Sequence, residues 1–437
     1  MRPFGSHSPA ALVVWLAMLA SAACTSRDPA GPEAPSGGTG GTGSDVGGAS
    51  PGGSTNLAGT GPTPEGGGGG AAGSTGEAGS SAGAASQGGS SPEAGGGNGG
   101  SAGSAGAQPL GGTDAGGAAA GGVPLDAALR SKCTGTSPIV CHLDAADGNW
   151  DVTLDLGSDT VAGNSRVAAE TRHYYGDARD TAVGAHERLS FTANVRMEKH
   201  DGGQSAPSNL LDLVIDGSAP QLRGIGLRAA PASITVFIAG DSTLCDWVGS
   251  NTSAVSDDET GWAQALAQYL DQGAALANYA DSGETAGSFY TKFFPQAKAA
   301  LKAGDYVFVQ FGHNDQKDAT AVADYKTNLM KYVQDARDKQ ATPVLFTPVS
   351  RSTGTDADPG FAGLDQQVRD LAAAQNVALI DLTVLSRNYY KTVPDKSKLF
   401  ADSGTHLSSM GANAVAGLVA KAIQGSALPL KSLVNVK

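Results

Sequence analysis

The feature that most limits what this chain can fold into is where its glycine lies. Of 63 glycines, 37 precede Val123. From Thr25 to about Gly122 the sequence is Gly, Ser, Ala, Thr and Pro, with almost no aromatic or branched apolar side chain. Such a stretch cannot bury enough apolar surface to offset the entropy of ordering it. It reads as a disordered tether, with a typical random-coil span of roughly 50–60 Å. Any core must be built from the residues that follow.

Ahead of the tether, Arg2 and the apolar run AALVVWLAMLA, Ala10 to Ala20, have the form of an export signal. The run is too short to span a bilayer as a helix. Ser21-Ala22-Ala23 suits a small-residue signal-peptidase site, and the same residues before Cys24 suit a bacterial lipobox with a lipid anchor on Cys24. Both readings place the mature protein outside the cytoplasm, either secreted or on the outward face of the cell envelope. No later segment is long and apolar enough to cross a membrane. The formal net charge is -13 and no basic run occurs, which argues against a nucleic-acid partner, since phosphate binding needs clustered Lys and Arg. Cys133 and Cys141 lie close together in SKCTGTSPIVC. An oxidising compartment favours a small-loop disulfide between them, and two buried thiols are the alternative. Cys245 is left single three residues after Ser242; it is expected to pack as a small apolar residue, with a rival nucleophile as the alternative. No Cys/His cluster has zinc spacing.

Two rhythms follow the tether. In residues 123–231, Trp150, Val152, Leu154 and Leu156 alternate with polar residues, as do Leu189, Phe191, Ala193 and Val195. Leu210 to Ile215 and Leu222 to Leu227 add two more apolar runs. Period-two alternation with turn clusters between predicts half-buried antiparallel strands in a small β-sandwich. In residues 232–437, apolar runs alternate with helical stretches. Ile234 to Ala239, Tyr306 to Phe311, Pro343 to Val349 and Val377 to Leu382 read as strands; Thr260 to Asp271, Val322 to Lys339, Asp365 to Gln375 and Met410 to Gln424 read as helical. That alternation predicts an α/β fold with a parallel sheet covered on both faces. The expected organisation is a signal peptide over 1–23, a linker over 24–122, a β-sandwich accessory domain over 123–231 and an α/β domain over 232–437.

Four short stretches in the last domain carry chemistry. IAGDSTLCDW ends the first apolar run on Ser242. NYADSG ends on Gly283. FGHND places Asn314 at the end of the YVFVQ strand. ADSGTHLSSMGA puts Asp402 and His406 before the last helix. In a parallel sheet the carboxyl ends of the strands share one edge, so these segments can meet there. A serine hydroxyl is a poor nucleophile until an imidazole takes its proton, and the imidazole needs a carboxylate to fix its tautomer. The oxyanion needs preorganised donors. The backbone N–H groups of Ser242 and Gly283 and the side-chain amide of Asn314 offer three.

In this order the segments resemble the SGNH (GDSL-type) hydrolase superfamily. IAGDSTLCDW, NYADSG, VQFGHNDQK, PVLFTPVSR, ALIDLT and THLSSMGA are similar to the rhamnogalacturonan acetylesterase branch of carbohydrate esterases, over roughly Trp150 to Ile423. The resemblance implies a three-layer, flavodoxin-like α/β fold with Ser242 as nucleophile, His406 as base and Asp402 as its partner. It further implies an oxyanion hole of Ser242, Gly283 and Asn314, and no metal or other cofactor. One departure is visible: the family carries the aspartate three residues before the histidine, whereas here Ser403 stands there and Asp402 is four before. Either a bulge returns Asp402 to the ring or a backbone carbonyl takes its place. Asp241 and Asp315 are assigned to the nucleophile turn and to bracing the Asn314 loop.

The implied activity is a monomeric serine esterase removing O-acetyl groups from acetylated plant cell-wall polysaccharide, foremost rhamnogalacturonan. The alternatives are an acetylxylan esterase, a lipase-like GDSL esterase, or a carbohydrate-binding lipoprotein without catalysis.

Overall fold

The computed structural model describes residues 123–196, 209–247 and 259–436, with 199–200 and 203–204 as backbone only; the signal, the tether and Cys24 lie outside them. A short helix α1 (Ala127–Arg130) leads into β1 (Cys133–Thr134), β2 (Ile139–Asp144), β3 (Gly148–Gly157), β4 (Gly163–Ala169), β5 (His173–Tyr174), β6 (Arg179–Thr181), β7 (His186–Val195), β8 (Lys199–His200), β9 (Gly203–Gln204), β10 (Leu210–Ala219) and β11 (Leu222–Ala229). They build two antiparallel sheets, β11-β3-β7 and β1-β2-β10-β4-β5 with β6 beside β4, and the ribbon β8-β9. Alternation drives the pairing. Val152, Leu154, Phe191 and Ala193 are buried with Leu213 and Ile215 of the other sheet in one apolar core. Cys133 and Cys141 are register partners across β1 and β2 and form a disulfide.

The second half contains β12 (Ile234–Gly240), β13 (Ala274–Asn278), α2 (Ala286–Lys292), α3 (Phe294–Ala300), β14 (Tyr306–Gln310), α4 (Ala319–Asp338), β15 (Thr342–Phe346), α5 (Leu364–Gln375), β16 (Ala378–Ile380), α6 (Leu382–Tyr390) and α7 (Ser409–Gln424). The five strands are parallel in the order β13-β12-β14-β15-β16, the flavodoxin-like order. Both faces are apolar. Val236, Ile238, Phe308 and Val344 pack with α7 on one side. Phe237, Val307, Val309 and Leu345 pack with α2 to α5 on the other. Each such fully buried side chain contributes about 1.5–3 kcal/mol. Asp318 caps α4 by accepting from the Ala321 N–H at 2.8 Å, and Ser408 caps α7 by accepting from the Gly411 N–H at 3.2 Å.

The local structure departs from the sequence reading in several places, among them helices α2, α3 and α6, which that reading did not mark. Thr260 to Asp271 holds only a 3-10 helix, Gln264–Tyr269. Its approach is tied elsewhere, with the Thr260 N–H on the Leu407 carbonyl and the Trp262 N–H on the Thr243 carbonyl, both at 3.0 Å. Strand β13, sequence AALAN, was not expected. Its alanines carry no strand preference, and its place comes from pairing along β12.

Candidate active site

The edge between β12 and β14 is where the strand order reverses, the point at which open α/β sheets leave a crevice. Beyond β12 the chain turns through Asp241, whose buried carboxylate accepts from the Thr243 N–H at 3.0 Å and the Thr243 hydroxyl at 2.7 Å. This turn presents Ser242, which is 5% exposed.

His406 comes from the loop between Phe400 and Leu407, whose ends bridge antiparallel. Its Nε2 lies 2.9 Å from the Ser242 Oγ and its Nδ1 lies 2.8 Å from the Asp402 Oδ2. A carboxylate only accepts, so Nδ1 carries the hydrogen and Nε2 is left to accept from the serine. The one-residue displacement of Asp402 is absorbed by the loop curling around its carboxylate. Asp402 Oδ1 accepts from the backbone N–H groups of Gly404, Thr405 and His406 at 2.8, 2.7 and 3.0 Å. Gly404 makes the curl at φ 126°, a region that favours glycine. Burial pushes the Asp402 carboxyl up, but the His406 bond and the backbone N–H groups outweigh it and hold the group well below the usual carboxylate range.

Asn314 follows β14. Its amide donates to the Glu284 carbonyl at 3.1 Å, which leaves one N–H for another acceptor, and its Oδ1 accepts from Lys317 at 3.0 Å. That pairing fixes which way the amide points. Gly283 has φ 79°, and a Cβ there would meet nothing within 4 Å, so its backbone borders open space. Ser242, Gly283 and Asn314 thus belong to three loops on the same sheet edge as His406.

Several further residues shape the site. His313 Nδ1 faces Asp241 at 3.3 Å and its Nε2 faces the Val349 carbonyl at 3.0 Å, which ties the Ser242 turn to the loops after β14 and β15. The only sequence signal was its place in FGHND. Asp315 accepts from the Ala286 N–H at 2.9 Å and so holds the start of α2 against the Asn314 loop. Trp247 donates from its indole to the Ser242 carbonyl at 2.9 Å and stands edge-on to the His406 ring at 5.7 Å. Arg351 donates to the Thr405 hydroxyl at 3.3 Å and the His313 carbonyl at 3.4 Å. Among the described residues no cluster of three His, Cys, Asp or Glu is placed to hold a metal ion.

The arrangement is suited to acyl transfer through a serine. Residues 238–414 match the GDSL-like lipase/acylhydrolase family. The chain is 32% identical over 220 residues to the rhamnogalacturonan acetylesterase RhgT of Bacillus subtilis, a match covering 45% of this chain and 93% of that protein. It is 32% identical over 213 residues to the probable rhamnogalacturonan acetylesterase YesY of the same organism, covering 45% and 94%. Among solved structures, protein YxiM of B. subtilis aligns with 25% identity and a TM-score of 0.42, over 69% of this chain and 87% of that one. The chain is a carboxylic ester hydrolase of the GDSL-like (SGNH) lipase/acylhydrolase family, of the rhamnogalacturonan acetylesterase-like kind.

Proposed function

We propose that this esterase removes O-acetyl groups from an acetylated plant cell-wall polysaccharide, foremost rhamnogalacturonan, through an acetyl-enzyme on Ser242. The observation that carries the mechanism is the relay of two contacts, 2.9 Å from Ser242 Oγ to His406 Nε2 and 2.8 Å from His406 Nδ1 to Asp402. His406 takes the serine proton as Oγ bonds to the acetyl carbon, and Asp402 stabilises the imidazolium. The carbonyl oxygen becomes an oxyanion facing the N–H groups of Ser242 and Gly283 and the free N–H of Asn314, each worth roughly 3 kcal/mol of barrier. Collapse breaks the ester bond, and His406 returns the proton to the departing sugar hydroxyl. Water, deprotonated by His406, then attacks the acetyl-serine, and collapse releases acetate as His406 returns the proton to the Ser242 Oγ.

The choice of rhamnogalacturonan rests on the names of the two relatives. In this reading the chain is exported by residues 1–23 and displayed outside the cytoplasm on the tether 24–122, with Cys24 as a candidate lipid anchor. Residues 123–231 form a sandwich-like accessory body ahead of the hydrolase. Acetate release from acetylated rhamnogalacturonan, homogalacturonan and xylan fragments tests the substrate, with Ser242→Ala as control. Rhamnogalacturonan is expected to lose acetate fastest, and the variant to lose about 10⁴-fold or more. Equal release from all three removes the narrow substrate. A preference for octanoyl over acetyl in a series of 4-nitrophenyl esters overturns the deacetylase reading.

A further inference from the structure

The two antiparallel sheets do not stop at their own core. The turn between β4 and β5 carries Glu170 at φ 49° and Arg172 at φ 58°. Side-chain-bearing residues adopt this left-handed region at a cost, and it persists where the surroundings impose it. Here it aims Arg172 into the hydrolase half. The guanidinium donates to the Trp247 and Glu259 carbonyls, both at 3.0 Å, to the Thr260 hydroxyl at 3.1 Å and to the Ser409 hydroxyl at 3.4 Å. Trp247 is the residue that donates to the Ser242 carbonyl and stands against the His406 ring. Ser409 begins α7, three residues after His406, and Glu259 bridges Ser408. One side chain therefore holds both the support of the nucleophile turn and the exit of the histidine loop.

Neighbouring contacts converge on the same turn. Gln264 donates to the Thr171 carbonyl at 2.7 Å and the Trp247 carbonyl at 2.9 Å. His173 Nε2 lies 2.9 Å from the Asp246 Oδ1, and Asn278 donates to that same oxygen at 2.7 Å. Arg196 donates to the other Asp246 oxygen at 3.3 Å and also to the Asn278 carbonyl. His173, Asp246 and Arg196 are all buried. A freely tethered accessory module would not place three side chains, Arg172, His173 and Arg196, and the Thr171 carbonyl against its neighbour's active-site loop.

We propose that the antiparallel sheets are a working part of the esterase site, with Arg172 as a positioning residue that sets the Ser242–His406 distance through Trp247, Thr260 and Ser409. The proposal rests on the Ser242 nucleophile reading. A planar fork with several donors in fixed directions is what such a staple needs, and lysine cannot reproduce it. A displacement of about 1 Å between reacting groups costs on the order of 10²-fold in rate.

The test uses full-length Arg172→Lys and Arg172→Ala, with Arg166→Ala as control. Arg166 pairs with Asp216 at 2.7 Å and donates to Tyr174 at 3.3 Å, so its loss weakens the same body while leaving the four contacts of Arg172 with the hydrolase half in place. Three readouts are taken: melting temperature, kcat and KM on 4-nitrophenyl acetate, and the rate at which a fluorophosphonate labels Ser242. Arg172→Lys is expected to stay folded, to lose about 10- to 100-fold in kcat and in labelling rate, and to keep KM within about twofold. Arg166→Ala is expected to melt earlier with kcat unchanged. Should Arg172→Ala fail to fold, Arg172→Lys decides alone. Wild-type kcat and labelling in folded Arg172→Lys overturn the proposal, as does an equal loss in Arg166→Ala. Absence of Ser242 labelling in the wild type overturns the nucleophile itself, and the role of Arg172 falls with it.

Discussion

Behind the serine lie two buried carboxylates whose surroundings push them in opposite directions. Burial raises Asp241, but the facing His313 and the Thr243 donors outweigh it, so the group is held below its ordinary value. Asp315 accepts from the Ala286 N–H through one oxygen, and its other oxygen has no partner among the described residues. Burial, with the Asp241 charge adding to it, pushes its carboxyl up to about 7. For an acid with a raised folded value, the native state holds the proton that the unfolded chain has released. Stability is therefore unaffected below the unfolded value of about 4, falls as pH rises from there to about 7, and levels beyond. Asp315→Asn keeps an acceptor for the Ala286 N–H and removes the titration. The gain in melting temperature of Asp315→Asn over wild type is expected to be larger at pH 8 than at pH 5. A difference independent of pH would mean that Asp315 is ionised throughout. His313 and Asp315 were visible as letters of FGHND, but spacing along a chain does not say which way a side chain turns. Their pairing with Asp241 and with α2 needed coordinates.

At the scale of elements, the ends of β12 and β14 are locked by a buried polar chain. Trp262 donates to Gln310 at 3.1 Å, and Gln310 donates to the Thr243 hydroxyl at 2.9 Å, which in turn donates to Asp241. Gln310→Leu leaves the indole N–H buried without its acceptor. A loss of about 1–3 kcal/mol in chemical denaturation is expected, and a change below about 0.5 kcal/mol would show that the chain of donors is dispensable. The apolar strands β12, β14 and β15 were legible because parallel strands buried on both faces read as continuous Val, Ile and Phe runs. Strand β13 was not, because AALAN has neither the alternation nor the branched residues that mark a strand. Likewise, α2 depends on the Thr285–Ser288 capping box for its start, a short-range signal without a long apolar stripe behind it. The curl that returns Asp402 to His406 was legible only as a choice. Gly404 permits it, and the three N–H groups on the carboxylate decide it.

At the scale of the molecule, period-two and strand-helix rhythms marked a change of architecture near Pro231, but not that both halves would share one core. Leu154 and Phe191 of the antiparallel sheets lie in the same apolar cluster as Val236 and Phe308 of the parallel sheet. Such continuity makes the first body a foundation for the second, and Arg172 extends it to the site. No periodicity reports a contact between Arg172 and Ser409, 237 positions apart. Catalysis by this route requires the Ser242 hydroxyl to become acetylated. Peptide mass spectrometry on enzyme quenched during turnover of an acetylated substrate tests this most directly. One acetyl group is predicted on the peptide carrying Ser242, and none on that peptide in Ser242→Ala or His406→Ala. Turnover that proceeds with Ser242 never acetylated, or with the acetyl group on another residue, would contradict it.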